Sequence, residues 1–268
     1  MAYIPLAILF IFGLIIGSFL NVVILRYGTG MSIEKGRSRC FSCGTTLSWY
    51  ELIPLVSYVI QGGACRNCRT RISPQYPLVE LATGLVFVAS YFLVPEAFFD
   101  LKASISFILT AALLCLYIVI FVYDIRHKII PDFFSYSAAL VSLLLIGNTW
   151  WMTGAIDPWR IIAGPILFIF FWFFWFVSKG NWMGLGDGKL SLSIGWALGL
   201  WAGIASTLLS FWIGALISLF IMGFEKVSGK GKLGMKSQIP FAPYLLVGFA
   251  IVLLFHIDIQ GILAYLAL

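Results

Sequence analysis

The chain has 268 residues, 61% of them hydrophobic, and a mean hydropathy of +1.01. Soluble domains average roughly 45–50% apolar residues, so this composition excludes a soluble domain and indicates an integral membrane protein. Seventeen Lys and Arg against eleven Asp and Glu give a net charge of +6. The surplus is read as loop topology rather than nucleic-acid binding, because basic residues collect in cytoplasmic loops.

Apolar windows of roughly 17–25 residues mark membrane spans. They fall over 4–25, 77–94, 103–123, 133–151, 160–178, 189–203, 204–223 and 240–257. The sixth and seventh share one unbroken apolar stretch, with their hairpin expected around Leu200–Gly203. The first segment lacks a basic leader and an Ala-x-Ala site, so it is read as a retained span rather than a signal peptide. Eight spans put both termini on one side. Of the 17 basic residues only Lys102 and Arg160 fall on that side, and the other 15 mark the opposite side as cytoplasmic. The predicted fold is an all-α polytopic membrane protein of about eight transmembrane helices. Its parts are a first helix (1–26), a small cytoplasmic four-Cys module (27–76) and a membrane domain (77–268).

In the first span, Gly17-Ser18 allows close helix packing, and Asn21 is read as an interhelical hydrogen bonder. The following loop holds Cys40-Phe-Ser-Cys43 and Cys65-Arg-Asn-Cys68, with 21 residues between the pairs. Two such knuckles supply four thiolates to one tetrahedral zinc. Two disulfides are the competing arrangement, disfavoured where the cytoplasm keeps thiols reduced. A closed four-Cys site leaves no open position for water, so the zinc is expected to be structural. Trp49, Tyr50, Ile53 and Pro54 supply a small core. Cys115 stands alone in an apolar run as a small buried hydrophobe.

Glu80 falls about one turn into the second span, where a helix N-terminus favours a carboxylate; a functional role there stays open. Asp124 ends the third span. Asp132 follows Pro131 at the start of the fourth and is read as helix-end electrostatics. The stretch Gly184-Leu185-Gly186-Asp187-Gly188-Lys189 precedes the sixth span. An acid near hydrocarbon costs roughly 2.5–3.5 kcal/mol at a helix centre and marks a functional site with a partner to find. The topology puts Asp124 and Asp187 on the same cytoplasmic side, and two such acids sharing a proton are the material of an aspartic protease. Gly195, Gly199 and Gly203 form a small-residue stripe beside them. The loop Lys226–Lys236 is read as a solvated basic turn. Pro240 and Pro243 keep the last span's start irregular, leaving backbone groups to offer a neighbour or substrate. Lys189 is read as an anchor for lipid or substrate charge, or as a snorkelling lysine.

These motifs, in this order, resemble the bacterial type IV prepilin peptidases. The resemblance rests on Gly17-Ser-Phe-Leu-Asn-Val-Val-Ile24, the two Cys-x-x-Cys pairs, Tyr76-Pro-Leu-Val-Glu80, and Asp124 before Ile130-Pro-Asp132. It continues through Gly184-x-Gly-Asp-x-Lys189 and Pro240-Phe-Ala-Pro243. It implies a catalytic pair of Asp124 and Asp187, with Gly184, Gly186, Lys189, Pro240 and Pro243 in support. It also implies cleavage of prepilin or pseudopilin leaders after a Gly at the cytoplasmic face of the bacterial inner membrane. Many members of that family then methylate the new N-terminus with S-adenosylmethionine, which gives Glu80 a possible methyl-transfer or docking role. Tyr123-Asp124 and Gly184-x-Gly-Asp187 also resemble the paired motifs of presenilin-type proteases. A proton- or metal-coupled transporter is the rival from another class, but no internal repeat supports it.

Overall fold

A computed structural model describes residues 3–227 and 240–257. Residues 228–236 of the expected basic loop lie outside them. Nine α-helices are described: α1 (Tyr3–Arg26), α2 (Val56–Ile60), α3 (Gln75–Leu93), α4 (Leu101–His127), α5 (Asp132–Thr153), α6 (Pro158–Ser178), α7 (Leu185–Leu198), α8 (Leu200–Val227) and α9 (Ala242–Phe255). A 3-10 turn covers Trp49–Leu52. The only strand-like pairings among the described residues are single antiparallel bridges, Arg39–Thr46 and Ala64–Arg71.

The eight longer helices stand where eight spans are expected. Six of them are long and apolar enough to cross a membrane. The other two, α7 and α9, have 14 residues each, about 21 Å of helix against a hydrocarbon core of about 30 Å. The break between α7 and α8 falls at Gly199, ahead of the expected hairpin at Leu200–Gly203. Gly199 has φ 85° and ψ 178°, a region essentially reserved for glycine. Gly203 continues inside α8, where a Cβ would come within 2.9 Å of Leu167 Cδ1.

The chain divides into two compact units, one up to Val119 and the other from Ile120. In the first, α1 packs on α3 at glycines. A Cβ at Gly13 would lie 2.8 Å from Gly84 Cα, and one at Gly17 would lie 2.7 Å from Glu80 Cα. Asn21 is buried there, and its Nδ2 donates to Tyr76 O at 3.1 Å, the interhelical bond expected of it.

In the second unit α7 runs between α5 and α6. Ser142 of α5 and Ser193 of α7 share a buried hydroxyl hydrogen bond of 3.0 Å. Gly195 meets α6 so closely that a Cβ would lie 2.7 Å from Ala163 O. Arg160, expected only as a residue of the non-cytoplasmic side, fastens the far end of α7. Its guanidinium donates to Trp196 O at 3.1 Å and Ala197 O at 2.9 Å, carbonyls that a helix C-terminus leaves without partners. The start of α6 is set by Asp157, whose carboxylate accepts from Trp159 N at 3.0 Å, with Pro158 next in line.

Candidate active site

Asp124 and Asp187 both belong to the second unit. They are 4% and 7% exposed, so each carboxyl is withdrawn from water by its own fold. Asp187 stands in the first turn of α7, behind an extended Gly184 at the helix cap (φ −77°, ψ 146°). Its carboxylate accepts from the Gly184 backbone N–H. A carboxylate in this position satisfies an otherwise unpaired amide and faces the positive end of the helix. Gly186 is required for a different reason. A Cβ there would lie 3.0 Å from Ile130 Cβ, so glycine lets the Ile129-Ile130-Pro131 connection close onto the start of α7.

That connection is what carries Asp124 toward α7. The helix α4 ends through Lys128, which has φ 56° and donates its N–H to Asp124 O at 2.7 Å. The chain then extends through Pro131 (ψ 132°) and starts α5 at Asp132. Asp124 lies near enough to Asp187 for its charge to act on the Asp187 carboxyl. The Asp124 carboxylate accepts from the backbone N–H of Ala242, the first residue of α9. Its Oδ2 is buried with no hydrogen-bond partner among the described residues. A buried carboxylate oxygen left without a donor is costly in a resting fold and available to a water or a substrate.

The Ala242 amide was missed as a site group. Its signal was present in the sequence as the Pro240–Pro243 motif, since prolines at the start of a helix remove donors and leave the remaining amide to be paired elsewhere. Phe241 supports the turn, its ring 5.0 Å from Phe211 and 6.2 Å from Phe171. Pro243 is buried in the first turn of α9, and Pro240 directly precedes that turn. Lys189 has a different partner from those expected of it. Its Nζ lies 2.6 Å from Asp132 Oδ1 and sits over the Tyr136 ring at 5.3 Å. It therefore joins α7 to the first turn of α5, and Asp132 adds an ion pair to its helix-end role.

The first unit brings the four cysteines together. The ligand atoms of Cys40, Cys43, Cys65 and Cys68 all lie within 4.8 Å of one another, with 3.8 Å between Cys40 Sγ and Cys68 Sγ. A tetrahedral zinc with Zn–S bonds of about 2.3 Å needs sulfurs about 3.8 Å apart, so the cluster fits the metal. None of the four is in a disulfide. Both knuckles fold alike. Cys40 N–H donates to Thr45 O and Gly44 N–H returns to Cys40 O, while Cys65 pairs with Thr70 and Arg69 in the same way, each bond 2.9 Å. The Thr45 hydroxyl and amide, then Asn67, hold the Cys43 thiol down at about 6. The Thr70 hydroxyl and amide lower Cys68. Zinc binds thiolates, so these donors favour the binding form.

Glu80, the third buried carboxylate of the described residues, has its own partner. Its Oε2 accepts from Leu55 N at 2.8 Å, which ties the four-Cys module to α3.

With this geometry in place, the comparisons with known proteins are decisive. A family model described as "Bacterial Peptidase A24 N-terminal domain" matches residues 11–94, and one described as "Type IV leader peptidase family" matches residues 111–219. A prepilin leader peptidase/N-methyltransferase of Stutzerimonas stutzeri is 31% identical over 273 residues, covering 91% of this chain and 88% of the relative. The chain belongs to the type IV prepilin leader peptidase family. Like-named proteins of Pseudomonas aeruginosa (32% identical, 90% of this chain and 87% of the relative) and Bacillus subtilis (33%, 91% of each) agree. No solved structure matches the chain significantly. The first family match spans the four-Cys segment, which a presenilin-type or transporter relationship leaves unexplained.

Proposed function

We propose that the chain is a membrane aspartic endopeptidase that removes the leader of type IV prepilin-like proteins at the cytoplasmic face, with Asp124 and Asp187 as its catalytic pair. The observation that carries this reading is the partnering of the buried carboxylates. Among the described residues Glu80, Asp124 and Asp187 are the buried acids. Each of the three accepts from a backbone amide, but Asp187 alone also feels a neighbouring carboxylate, that of Asp124, whose second oxygen has no partner among those residues.

In the mechanism, one carboxyl is ionised and the other protonated, as befits two like charges in a site of low dielectric. The ionised one takes a proton from a water as that water attacks the scissile carbonyl. The protonated one donates a hydrogen bond to the carbonyl oxygen and stabilises the charge that develops there. The proton taken from water passes to the leaving amine as the C–N bond breaks. Ala242 N–H and Gly184 N–H hold the two carboxylates by one edge each, which fixes their aim. Lys189 is paired with Asp132 rather than with either acid.

The relatives' names join peptidase to N-methyltransferase, and this supports a second activity, methylation of the new N-terminus by S-adenosylmethionine. Cys40, Cys43, Cys65 and Cys68 would hold a zinc whose contribution is to fold the module rather than to activate water. Co-expression with a prepilin-like reporter, followed by mass spectrometry of the product's N-terminus, reports both activities together. An uncut reporter would reject the peptidase reading. A cut but unmethylated one would reject only the second activity.

A further inference from the structure

The bond between Glu80 and Leu55 fixes a depth. Helix α3 has 19 residues, about 28 Å, so it needs its whole length to cross a hydrocarbon core of about 30 Å. Glu80 lies five residues into it, roughly 7 Å below its start by the helical rise. Leu55 N–H reaches Glu80 Oε2 at 2.8 Å, and a helical side chain leans toward the helix N-terminus, so Leu55 lies between the depth of Glu80 and the start of α3, at the membrane boundary. The residue is held there at φ 60°, a conformation that side-chain-bearing residues seldom adopt.

Leu55 separates the 3-10 turn Trp49–Leu52 from α2, and neither element buries a single residue, so Trp49, Tyr50 and Ile53, all exposed, do not form the small core expected of them. Val56, Val59 and Ile60 share one face of α2, at i, i+3 and i+4. Val59 is 75% exposed, Ile60 79% and Trp49 77%. Apolar side chains this exposed are unfavourable in water, but at the boundary where α3 enters the membrane they meet acyl chains. The flanking charge suits the same surroundings. Between α1 and α3 lie Lys35, Arg37, Arg39, Arg66, Arg69 and Arg71, all exposed, against Glu34 and Glu51. Glu51 is already committed to Ser48 N–H. Arg66 sits over the Tyr50 ring at 5.5 Å, and Tyr50 packs edge-on against Trp49 at 5.8 Å. Aromatic residues beside basic ones suit the boundary between acyl chains and anionic headgroups.

We propose that Trp49–Ile60 is an interfacial anchor, seating the four-Cys module in the headgroup–acyl boundary of an anionic bilayer, with lipid as its occupant. The test uses the full zinc-loaded chain in vesicles of mixed zwitterionic and anionic phospholipid. Photoreactive benzoylphenylalanine is introduced singly at Val59, at Ile60, and at Ile8 of α1 as an exposed membrane-span control. These side chains are exposed and the replacement is apolar, so folding is preserved. The expected result is lipid adducts at Val59 and Ile60 in yield comparable to Ile8. Adducts confined to protein, whether this chain or a co-reconstituted prepilin reporter, would overturn the proposal, as would no adduct at either position. Amide exchange over 56–62 is an independent readout, expected to be severalfold slower in anionic than in purely zwitterionic vesicles. Equal exchange in both would overturn the headgroup assignment.

Discussion

Lys189 Nζ lies 2.6 Å from Asp132 Oδ1, so the residue two places after Asp187 is bonded to the residue that starts the helix following Asp124. Gly186 rests against Ile130 in the same connection. Two contacts thus bracket Asp187 and hold it to the segment that leads from Asp124. The ion pair is unequal in burial, with the Lys189 side chain 15% exposed and Asp132 64%. Solvent screens it, and pairs of this kind contribute roughly 0–1 kcal/mol.

This ion pair is therefore expected to tune the site rather than make it. Asp132→Asn should retain substantial cleavage, slowed no more than about fivefold on the strength of such pairs. The charge-swapped double variant, Asp132→Lys with Lys189→Asp, should recover part of what either single exchange loses. Steady-state cleavage at low and high salt checks both, since screening weakens the wild-type pair and leaves Asp132→Asn unmoved. Loss in Asp132→Asn as complete as in an Asp187 variant would mean that Asp132 belongs to the catalytic pair.

Asp124→Asn and Asp187→Asn should each reduce cleavage by at least about a hundredfold, because a carboxamide cannot relay a proton. Membrane insertion and zinc content should be unchanged. Asparagine keeps an oxygen to accept from Ala242 N–H or Gly184 N–H, so the backbone around each acid is preserved. Near wild-type turnover in either variant would sink the assignment.

Much of this site was legible in the sequence, because the cost of an acid near hydrocarbon and the spacing of paired cysteines are local properties. Asp124, Asp187 and the four cysteines needed only hydropathy and spacing to be found. What pairs with what was not legible. Ala242 offers an amide, a group every residue but proline carries, and its use depends on where α9 happens to start. Arg160 was placed on the outer side with no role of its own, because the carbonyls it fastens are 36 and 37 positions away. The break at Gly199 was misplaced for a related reason. A hydropathy window registers an apolar run, whereas the helix stops where a backbone conformation only glycine tolerates interrupts it.

The packing of α7 offers a stability test remote from the acids. Gly195→Ala would drive a methyl to 2.7 Å from Ala163 backbone atoms, and no flexible side chain is there to move aside. Overpacking of this kind costs about 1–3 kcal/mol. Thermal unfolding in detergent should show a lowered midpoint. Gly147→Ala, where a Cβ meets nothing within 4 Å, serves as the tolerated control.

The cysteine module gives a test with a defined pH dependence. Purified protein should hold about one zinc per chain, and replacing two of the four ligands should release it and loosen the packing of one knuckle on the other, leaving each knuckle's own short-range hydrogen bonds in place. In the metal-free protein the thiols no longer share a metal, and their hydrogen bonds decide their reactivity. Cys43, held down at about 6 chiefly by the Thr45 hydroxyl and amide, is mainly thiolate at pH 7, whereas Cys40 is pushed above its ordinary value. The thiolate is the reacting form. Iodoacetamide should therefore label Cys43 ahead of Cys40 at pH 7, and the Cys43 rate should fall as pH drops through about 6. Thr45→Ala removes the leading cause of the shift and should move that fall to higher pH. Zinc should protect all four thiols together, and its affinity should weaken over the same range, because protons compete with the metal for sulfur. Peptide mapping after brief alkylation, with and without zinc, measures each part. Equal labelling of Cys43 and Cys40 at pH 7 would overturn the assigned hydrogen-bond roles. Cysteines that resist alkylation because they are oxidised in the metal-free wild type would overturn the zinc itself.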